Sequence, residues 1–438
     1  HRCGEPVSGV GGVAARDRRR PAPRTLLARL DALATLLRLA WRNVGRNRVR
    51  SSVTIGAIAT GVAALIIVGG FVQDIFVQLG EALIHSQSGH LQVARAGYRE
   101  AGTRHPERYV IEEIEPLRRR IAAVPGVRDV MARVQVAGLL NNGRRDLAVV
   151  AEGIEPAREA RLGSFVRVVA GRALGADDAF GATLGKGLAE ALKLSPGDRA
   201  TLVTAAAGGA TNALDVEIVG VFETFSRDYD ARAARIPLGA AHEALAHAGA
   251  NTLTILLDRT EDTARVAAAL RAMLAPEGYE VDTWQTLNDF YDKTVELYER
   301  QFGVLGLIVL VMVVLGVSNS VNATLLERIG EFGTLRALGD PARRVAALAL
   351  LEAALMGLAG AALGVTLGIA AALALSAIGI PMPPPPNADL AYTASIRIVP
   401  GIVAFAAAVG VVATLLAALA PTLRAVRMPI AAALARNV

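Results

Sequence analysis

Cysteine is almost absent from this sequence of 438 residues, in which Cys3 is the only one. One thiol cannot form an internal disulfide, and it cannot build a cysteine-based zinc site, which needs several thiolates. The histidines are scattered, and His242 and His247 are five positions apart, which does not place both on one helical face. We therefore predict no metal site, and cysteine gives no information on the redox compartment.

Aromatic residues are also few, at 4% of the chain, although the formal net charge is +6. Proteins that bind single-stranded nucleic acid combine basic grooves with aromatic stacking, and duplex binders carry a basic patch on a folded domain. Here arginines such as Arg42, Arg343 and Arg344 stand beside apolar runs instead. A nucleic-acid partner is therefore not predicted.

The sequence lacks the motifs of nucleotide hydrolysis and of nucleophilic catalysis. Residues Gly181–Gly187 (GATLGKG) resemble a phosphate-binding loop, but the spacing is one residue short and Gly187 stands where a Ser or Thr would bind magnesium. There is no Gly-x-Ser-x-Gly elbow, and spacing nominates no Ser, His and Asp set. We therefore predict that this chain has no catalytic residue and is not an enzyme.

Apolar residues make up 53% of the chain and its mean hydropathy is +0.40, yet 20% of its residues are charged. This combination is typical of membrane spans joined to a soluble domain. A helix that rises about 1.5 Å per residue needs roughly 20 apolar residues to cross a bilayer. The stretches that meet this length are Val53–Gln73, Phe302–Leu325, Val345–Ile380 and Ile398–Leu419.

The distribution of arginine predicts the orientation of these four spans. Arginines precede the first span, lie between the second and third, and follow the fourth, and such clusters favour the cytoplasmic side. Both termini are then cytoplasmic, and the long segment between the first and second spans is periplasmic. We predict a membrane protein with four transmembrane α-helices and a large α+β extracytoplasmic domain between the first and second.

Changes in composition along the chain set the predicted boundaries. They are 1–25 for a disordered cytoplasmic tail, 26–52 for an amphipathic interfacial helix, 53–84 for the first transmembrane helix and stalk, 85–284 for the periplasmic core domain, 285–325 for a stalk and the second transmembrane helix, 326–342 for a cytoplasmic coupling helix, 343–380 for the third transmembrane helix, 381–397 for a Pro-rich outer loop, and 398–438 for the fourth transmembrane helix and cytoplasmic tail. The sequence begins at His1 rather than at a methionine, so the start residue is left open.

Turn signals and alternating apolar residues predict several elements of the periplasmic domain. Val127–Leu140 and Arg145–Ile154 flank Asn141-Asn-Gly143, which is typical of a hairpin. The other predicted elements are a helix at Leu184–Leu194, strands at Ala200–Thr204 and Leu214–Phe225, and a β-α-β unit of Thr252–Leu257, Glu261–Leu274 and Tyr279–Thr283.

A short charged segment follows the second span. Glu327–Gly339 alternates charged and apolar residues and ends at Gly-Asp-Pro, which stops a helix, so we predict an amphipathic helix at the membrane face. Its pattern of Arg328, Glu331-Phe332-Gly333 and Leu335-Arg336-Ala337-Leu338-Gly339 resembles the cytoplasmic loop of the ABC-transporter permeases typified by LolC, LolE, MacB and FtsX. Arg42 and Asn43 are similar to the Arg-Asn pair before the first span of that family.

The resemblance implies a MacB-like periplasmic core domain and an FtsX-like membrane domain. It also implies that the segment lies in a groove of a separate ABC ATPase subunit, which binds ATP and magnesium, so no cofactor is expected on this chain. The residues that it assigns to ATPase coupling are Glu327, Arg328, Glu331, Phe332, Leu335, Arg336, Leu338 and Gly339.

The third span carries two further features. Gly357, Gly360 and Gly364 are spaced to allow close approach of a neighbouring helix. Glu352 is the only charged residue of the span, near its cytoplasmic end, and we predict that it forms a structural ion pair with an arginine rather than transporting protons.

By resemblance the chain is a permease subunit in the bacterial inner membrane, working as a dimer with a second copy or a paralogue. ATP hydrolysis by the ATPase subunit would move the periplasmic domain and extract or export a lipid, lipoprotein or other hydrophobic cargo. The alternative is an FtsX-like signalling protein that activates a periplasmic cell-wall hydrolase without transport. Membrane lipids and a periplasmic partner are expected contacts, whereas the cargo, its direction and the type of dimer stay open.

Overall fold

The computed structural model describes residues 26–46, 48–102, 106–162, 165–206, 209–382 and 392–430. The predicted tail at 1–25 and most of the Pro-rich loop, at 383–391, lie outside the described residues. Contacts within the chain define two compact units. We name residues 64–308 with 368–403 the sheet unit, and the described residues up to 63, at 309–367 and from 404 onward the helical unit.

Long apolar stretches without internal breakers fold as long helices, and the described residues also contain many short ones. The α-helices are α1 (Leu26–Arg46), α2 (Arg48–Leu83), α3 (Tyr98–Ala101), α4 (Ile114–Ala122), α5 (Pro156–Leu162), α6 (Lys186–Leu192), α7 (Arg227–Asp230), α8 (Leu238–Leu245), α9 (Thr263–Leu274), α10 (Trp284–Leu287), α11 (Asp289–Glu327), α12 (Ile329–Ala337), α13 (Ala342–Ile378) and α14 (Pro400–Arg427). A π-helical turn at Ile84–Ser88 follows α2.

Within the described residues, four helices are long and apolar enough to span a bilayer. They cover Ser51–Ser88, Tyr291–Ala323, Ala342–Ile378 and Pro400–Arg427. The four predicted spans and the large domain between the first and second are thereby confirmed. One detail differs, because α14 continues through Pro421, which the sequence pattern placed after the end of the last span.

The sheet unit is built on a ten-stranded sheet with strand order β10-β1-β9-β2-β3-β8-β5-β7-β4, in which β6 pairs with β2 and β7. The strands are β1 (Leu91–Arg95), β2 (Val127–Asn141), β3 (Asp146–Ile154), β4 (Arg167–Gly171), β5 (Gly181–Gly185), β6 (Arg199–Ala205), β7 (Thr211–Glu223), β8 (Ala233–Pro237), β9 (Thr252–Leu257) and β10 (Tyr279–Thr283). A separate two-stranded hairpin consists of β11 (Ile380–Met382) and β12 (Tyr392–Ala394).

Strand β2 joins the two halves of the sheet. Its first part, Val127–Arg133, pairs with β9, and its second part, Val134–Asn141, pairs with β3. Side chains at alternate positions share one face of a strand, and those of β2 are buried in the core of the unit. The hairpin of β2 and β3 is confirmed, and Gly143 takes φ +82° in its turn, which favours glycine.

The predicted helix at Leu184–Leu194 is wrong at its beginning. Residues Gly181–Gly185 form β5, which pairs with β7 and β8, and α6 begins only at Lys186. Leu184 is completely buried and lies opposite Val221 and Ala234, which are distant in sequence. Because these partners are not local, the helical pattern of the neighbouring residues concealed the strand.

Candidate functional site

Helix α12, Ile329–Ala337, occupies the charged segment after the second span. Arg328 leaves the helical conformation, with φ −99° and ψ 9°, and separates α12 from α11. At the other end Gly339 takes φ +99°, and the N–H groups of Gly339 and Asp340 donate to the carbonyls of Arg336 and Leu335, both at 3.1 Å. This is a Schellman motif, and it explains why the Gly-Asp-Pro sequence ends the helix.

One side of this segment is buried in the helical unit. Arg328 is 8% exposed, and Ile329 and Phe332 are each 3% exposed. The guanidinium of Arg328 lies over the Phe332 ring, 5.4 Å from its centroid. The sequence analysis placed Phe332 among the residues of ATPase coupling, and in this chain its ring is buried and anchors α12.

A group of polar side chains, which we name the charged cluster, holds the beginning of α12. It consists of Asn43, Arg46, Arg328, Glu331 and Glu352. Glu352 accepts hydrogen bonds from Arg328 Nη1 and Asn43 Nδ2, each at 2.6 Å, on its two carboxylate oxygens. Glu331 accepts from Arg328 Nε at 2.8 Å and from Arg46. The cluster therefore connects α1, α12 and α13.

Burial and charge act in opposite directions on the pKa values of two groups of this cluster, Glu331 and Arg328. Burial alone raises the pKa of Glu331, but hydrogen bonds from Arg328 and Arg46 outweigh it and hold the pKa below its usual range. Burial alone lowers the pKa of Arg328, but the charge of Glu352 and hydrogen bonds to both carboxylates hold it above its usual range. These groups therefore keep their charges at neutral pH, and the cluster is a network of ion pairs.

The opposite side of α12 is exposed. Glu331, Thr334 and Leu338, spaced three and four residues apart, share this side, and we name them the exposed stripe. Glu331 lies at the edge of the stripe and also belongs to the charged cluster. Leu338 is 81% exposed, and the Glu331 side chain is 44% exposed. Glu327, at the end of α11, is exposed too.

Two more residues of the predicted set lie between the buried and exposed sides. Leu335 and Arg336 are half-buried, and Arg336 Nη1 donates to the Met428 carbonyl at 2.6 Å. The sequence analysis did not find the roles of Arg46 and Asn43 in the cluster. The only signal was the resemblance of the Arg42-Asn43 pair to the family pattern.

The glycines of α13 allow its backbone to approach neighbouring helices of the helical unit. A Cβ at Gly360 would lie 2.7 Å from the Ile58 Cβ, and one at Gly364 would lie 2.7 Å from the Ala59 carbonyl oxygen. At Gly357 the nearest atom would be Thr414 Cβ, at 3.3 Å. At Gly360 and Gly364, any side chain larger than hydrogen would therefore clash with α2.

The sheet unit contains a second polar network, which we name the outer clamp. Asp74 of α2 is 1% exposed and accepts hydrogen bonds from Gln78 Nε2 at 2.6 Å and Arg397 Nε at 3.0 Å. It also accepts from the N–H and the hydroxyl of Ser395, both at 2.8 Å. The clamp connects the segment between β12 and α14 to α2.

Among the residues that the structure describes, no three His, Cys, Asp or Glu side chains converge where a metal ion could bind.

Comparison with protein families agrees with this architecture. The model of the MacB-like periplasmic core domain matches residues 51–273, which is just over half of the chain. The model of the FtsX-like permease C-terminal region matches residues 303–430, which include α12 and the last two spans.

A curated relative supports the same grouping. The lipoprotein-releasing system transmembrane protein LolC of Neisseria meningitidis serogroup B is 25% identical over 346 residues, which is 72% of this chain and 75% of the relative.

Two solved structures resemble parts of the chain. The periplasmic region of MacB from Actinobacillus actinomycetemcomitans covers 48% of this chain and 94% of its own length, with 13% identity and a TM-score of 0.34. The extracellular domain of the noncanonic ABC-type transporter YknZ from Gram-positive bacteria covers 44% of this chain and 99% of its own, with 16% identity and a TM-score of 0.33. The family models establish the group to which the chain belongs. The chain is a member of the ABC-transporter permeases of the MacB, LolC and FtsX type, which are non-catalytic inner-membrane subunits with a periplasmic domain.

Proposed function

We propose that this permease couples ATP hydrolysis by a separate ATPase subunit to movement of its periplasmic domain, and that it extracts or exports a lipid, lipoprotein or other hydrophobic cargo. The observation that carries this proposal is the two-sided character of α12. The charged cluster and Phe332 hold one side in the chain, and the exposed stripe leaves the other side accessible. A helix that is anchored in this way can pass on the displacement of a partner that binds its free side.

The motif residues divide into two roles in this proposal. Arg328, Phe332 and Arg336 anchor α12, and Gly339 ends it. The residues proposed to contact the ATPase are Glu327, Glu331, Leu335 and Leu338.

Helix α11 supports transmission of such a displacement. It runs without interruption from Asp289 to Glu327, and only Arg328 separates it from α12. Its 39 residues at about 1.5 Å each give a length of about 58 Å, well beyond the hydrocarbon thickness of a bilayer. The helix has no proline, the usual cause of a sharp kink. Movement of α12 is therefore expected to reach the beginning of α11, next to α10 and β10 in the chain.

The proposed cargo class is supported by the relative from Neisseria, which is named for lipoprotein release. ATP and magnesium are assigned to the ATPase subunit, and a second permease copy or a paralogue completes the dimer. Both termini are cytoplasmic in this proposal, because the arginine clusters lie before the first span, after the second and after the fourth.

The native Cys3 provides a test of this orientation, because it is the only thiol. A membrane-impermeant maleimide added to cells with an intact inner membrane should leave Cys3 unlabelled. It should label Cys3 after the membrane is permeabilised. Labelling of intact cells would place the N-terminus outside and contradict the proposal.

The test of ATPase coupling uses two exposed leucines of the full-length chain. Leu338→Asp changes the exposed stripe, whereas Leu139→Asp changes a leucine of β2 that is 45% exposed and serves as the matched control. After co-expression with the ATPase, Leu338→Asp should abolish co-purification of the ATPase without lowering the melting temperature. Leu139→Asp should leave co-purification intact. Equal binding by the two variants would remove α12 from the interface.

Mass spectrometry of the purified complex then distinguishes the two functions. Recovery of the ATPase with a bound lipid or lipoprotein supports extraction of cargo. Recovery of the ATPase with a periplasmic hydrolase and no cargo would support the signalling alternative. A wild-type chain that binds no ATPase would contradict both functions.

A further inference from the structure

A groove in the helical unit lies between α1, α12 and α13, and we name it the interfacial groove. Its volume is about 760 Å³, within the range of about 300–1,000 Å³ that is usual for ligand sites. Aliphatic side chains from all three helices line its wall. They are Leu36, Leu39, Leu335, Val345 and Leu348. A wall of this kind suits methylene chains, because their transfer out of water lowers the free energy.

Two pairs of opposite charge form the rim of the groove. Arg46 donates to Glu331, and Arg344 Nη1 lies 2.7 Å from Asp340 Oδ1. The two arginine side chains are 57% and 52% exposed, and a guanidinium has five N–H donors, of which each pair uses one. The rim therefore offers spare donors beside carboxylate oxygens, and the charges of its two pairs cancel.

Helix α1 indicates where the groove meets the membrane. Leu37 and Trp41 are 40% and 70% exposed, and Arg38 and Arg42 stand one position after each of them in the chain. Amphipathic helices of this composition lie in the plane of the membrane interface, and tryptophan prefers the depth of the lipid headgroups. A groove with α1 as one wall is therefore accessible to headgroups.

We infer that the interfacial groove binds one phospholipid whose headgroup carries both a phosphate and a primary ammonium, as phosphatidylethanolamine does. The phosphate accepts hydrogen bonds from Arg46 and Arg344, the ammonium donates to Asp340 and Glu331, and an acyl chain lies along the aliphatic wall. An anionic headgroup without an amine leaves the carboxylates unmatched. A trimethylated amine has no N–H to donate, so phosphatidylcholine matches the rim less well.

Two other occupants fit the groove less well. The segment 1–25 of this chain is rich in arginine, including Arg18–Arg20, and would bring positive charge without phosphate to a rim whose charges already balance. The ATPase would approach the exposed stripe, and of the residues proposed to contact it Glu331 and Leu335 also line the groove, whereas Glu327 and Leu338 do not. The lipid inference does not depend on the proposed function, and its test uses the chain without an ATPase.

The experiment measures lipid retention by the full-length protein. The protein is reconstituted in nanodiscs with equal parts of phosphatidylethanolamine, phosphatidylcholine and phosphatidylglycerol. It is then released from the nanodiscs, and native mass spectrometry measures the mass of the protein with its bound lipid. One bound phosphatidylethanolamine should be retained, with about tenfold preference over either competitor, since a charge-assisted hydrogen bond contributes about 1.5–3 kcal/mol. Equal retention of the three lipids, or preference for phosphatidylglycerol, would overturn the inference.

Two variants assign the retained lipid to the groove. The double variant Arg344→Gln/Asp340→Asn removes one pair of rim charges and keeps both side chains polar, and it should lose the preference. Arg427→Gln, at the exposed end of α14, should keep it. A thermal melt of the lipid-free proteins checks folding, and phosphatidylethanolamine should raise the melting temperature of the wild type and of Arg427→Gln only. Preference that persists in the double variant, or that requires deletion of residues 1–25, would contradict lipid binding in this groove.

Discussion

Nη1 of Arg328 lies 2.6 Å from Oε2 of Glu352, so the one acidic residue of α13 is neutralised by the residue at the beginning of α12. Asn43 of α1 donates to the other carboxylate oxygen at the same distance. Three elements that are far apart in the sequence thus meet at one carboxylate. The position of α12 depends on this contact more than on its own helical propensity, because nine residues are too few for a stable isolated helix.

Removal of either charge of this pair should be costly. Each side chain is only 10% exposed. Arg328→Met leaves the buried Glu352 carboxylate with the Asn43 amide but without a positive charge, and Glu352→Leu leaves the buried Arg328 with Glu331 but without its more buried partner. Each single variant should lower the free energy of unfolding by about 3–5 kcal/mol. The double variant should lose clearly less than the sum, as measured by chemical denaturation in detergent. Additive losses would show that the two residues do not interact.

The exposed pair Arg300 and Glu296 serves as the control for that measurement. These side chains are 76% and 61% exposed and lie four residues apart on α11. An exposed pair of this type contributes about 0.3–0.5 kcal/mol. Arg300→Met should therefore change stability much less than Arg328→Met does.

A methyl group at Gly364 should destabilise the helical unit. The new Cβ would lie 2.7 Å from the Ala59 carbonyl oxygen and 2.7 Å from the Val62 Cβ, and backbone oxygen cannot move aside freely. Gly364→Ala should cost about 1–3 kcal/mol in detergent unfolding. Gly316→Ala meets no atom within 4 Å and should be neutral or stabilising by up to about 1 kcal/mol, since alanine favours helix. Equal effects at the two positions would refute the close packing of α13 on α2.

Loss of the Asp74 carboxylate should release the segment after β12. In Asp74→Ala the Ser395 N–H loses its acceptor, and a hydrogen bond to a charged group contributes about 1.5–3 kcal/mol. Hydrogen exchange at Ser395 should therefore accelerate by about tenfold or more. Asp146→Ala, on the exposed hairpin turn, should not change this rate. Unchanged exchange in Asp74→Ala would mean that the outer clamp does not hold this segment.

His90 should make stability depend on pH. It is 2% exposed, Nδ1 accepts the Leu257 N–H at 3.2 Å, and Nε2 lies 3.1 Å from Thr260 Oγ1. Burial lowers the pKa of His90 to about 4, whereas an unfolded chain has a histidine pKa of about 6.5. Between these values only the unfolded state binds the proton, so stability is complete above about pH 6.5 and falls by up to about 3 kcal/mol by pH 4.

Thermal melting of the full-length protein from pH 4 to 7.5 measures this loss. His90→Asn keeps an acceptor near the position of Nδ1 and has no titrating ring, so its melting temperature should depend less on pH across this interval. His247→Asn, whose partly exposed ring lies 3.3 Å from the adjacent Ala248 carbonyl oxygen, should retain the wild-type dependence. The same slope in all three proteins would assign the effect to other groups.

The parts of the fold that local signals specify were predictable from sequence. Apolar length defined the spans, and Thr252–Leu257 and Tyr279–Thr283 became β9 and β10 with the predicted bounds. The Asn141-Asn-Gly143 turn fixed the register of a hairpin, because turn chemistry acts over a few residues.

The parts that depend on distant partners were not predictable. Nothing near Arg328 indicates that it pairs with Glu352 and that the ring of Phe332 is packed beneath its guanidinium. The alternation of charged and apolar residues predicts an amphipathic helix, but it does not show which side of that helix is buried by the rest of the chain. For the same reason β5 was hidden, since its strand character comes from pairing with β7 and β8.

The position of β1 in the sheet has a consequence for biosynthesis. Leu91 pairs with Thr283, so one neighbour of β1 is made almost 200 residues after it. At ribosomal rates of about 5–20 residues per second, β1 waits roughly 10–40 s for this partner. The first helix can insert in the membrane long before the domain can close, and the unpaired strand is exposed to aggregation in that interval. Throughout that interval the segment from β1 to the end of β9 lacks the strand that completes this edge of the sheet.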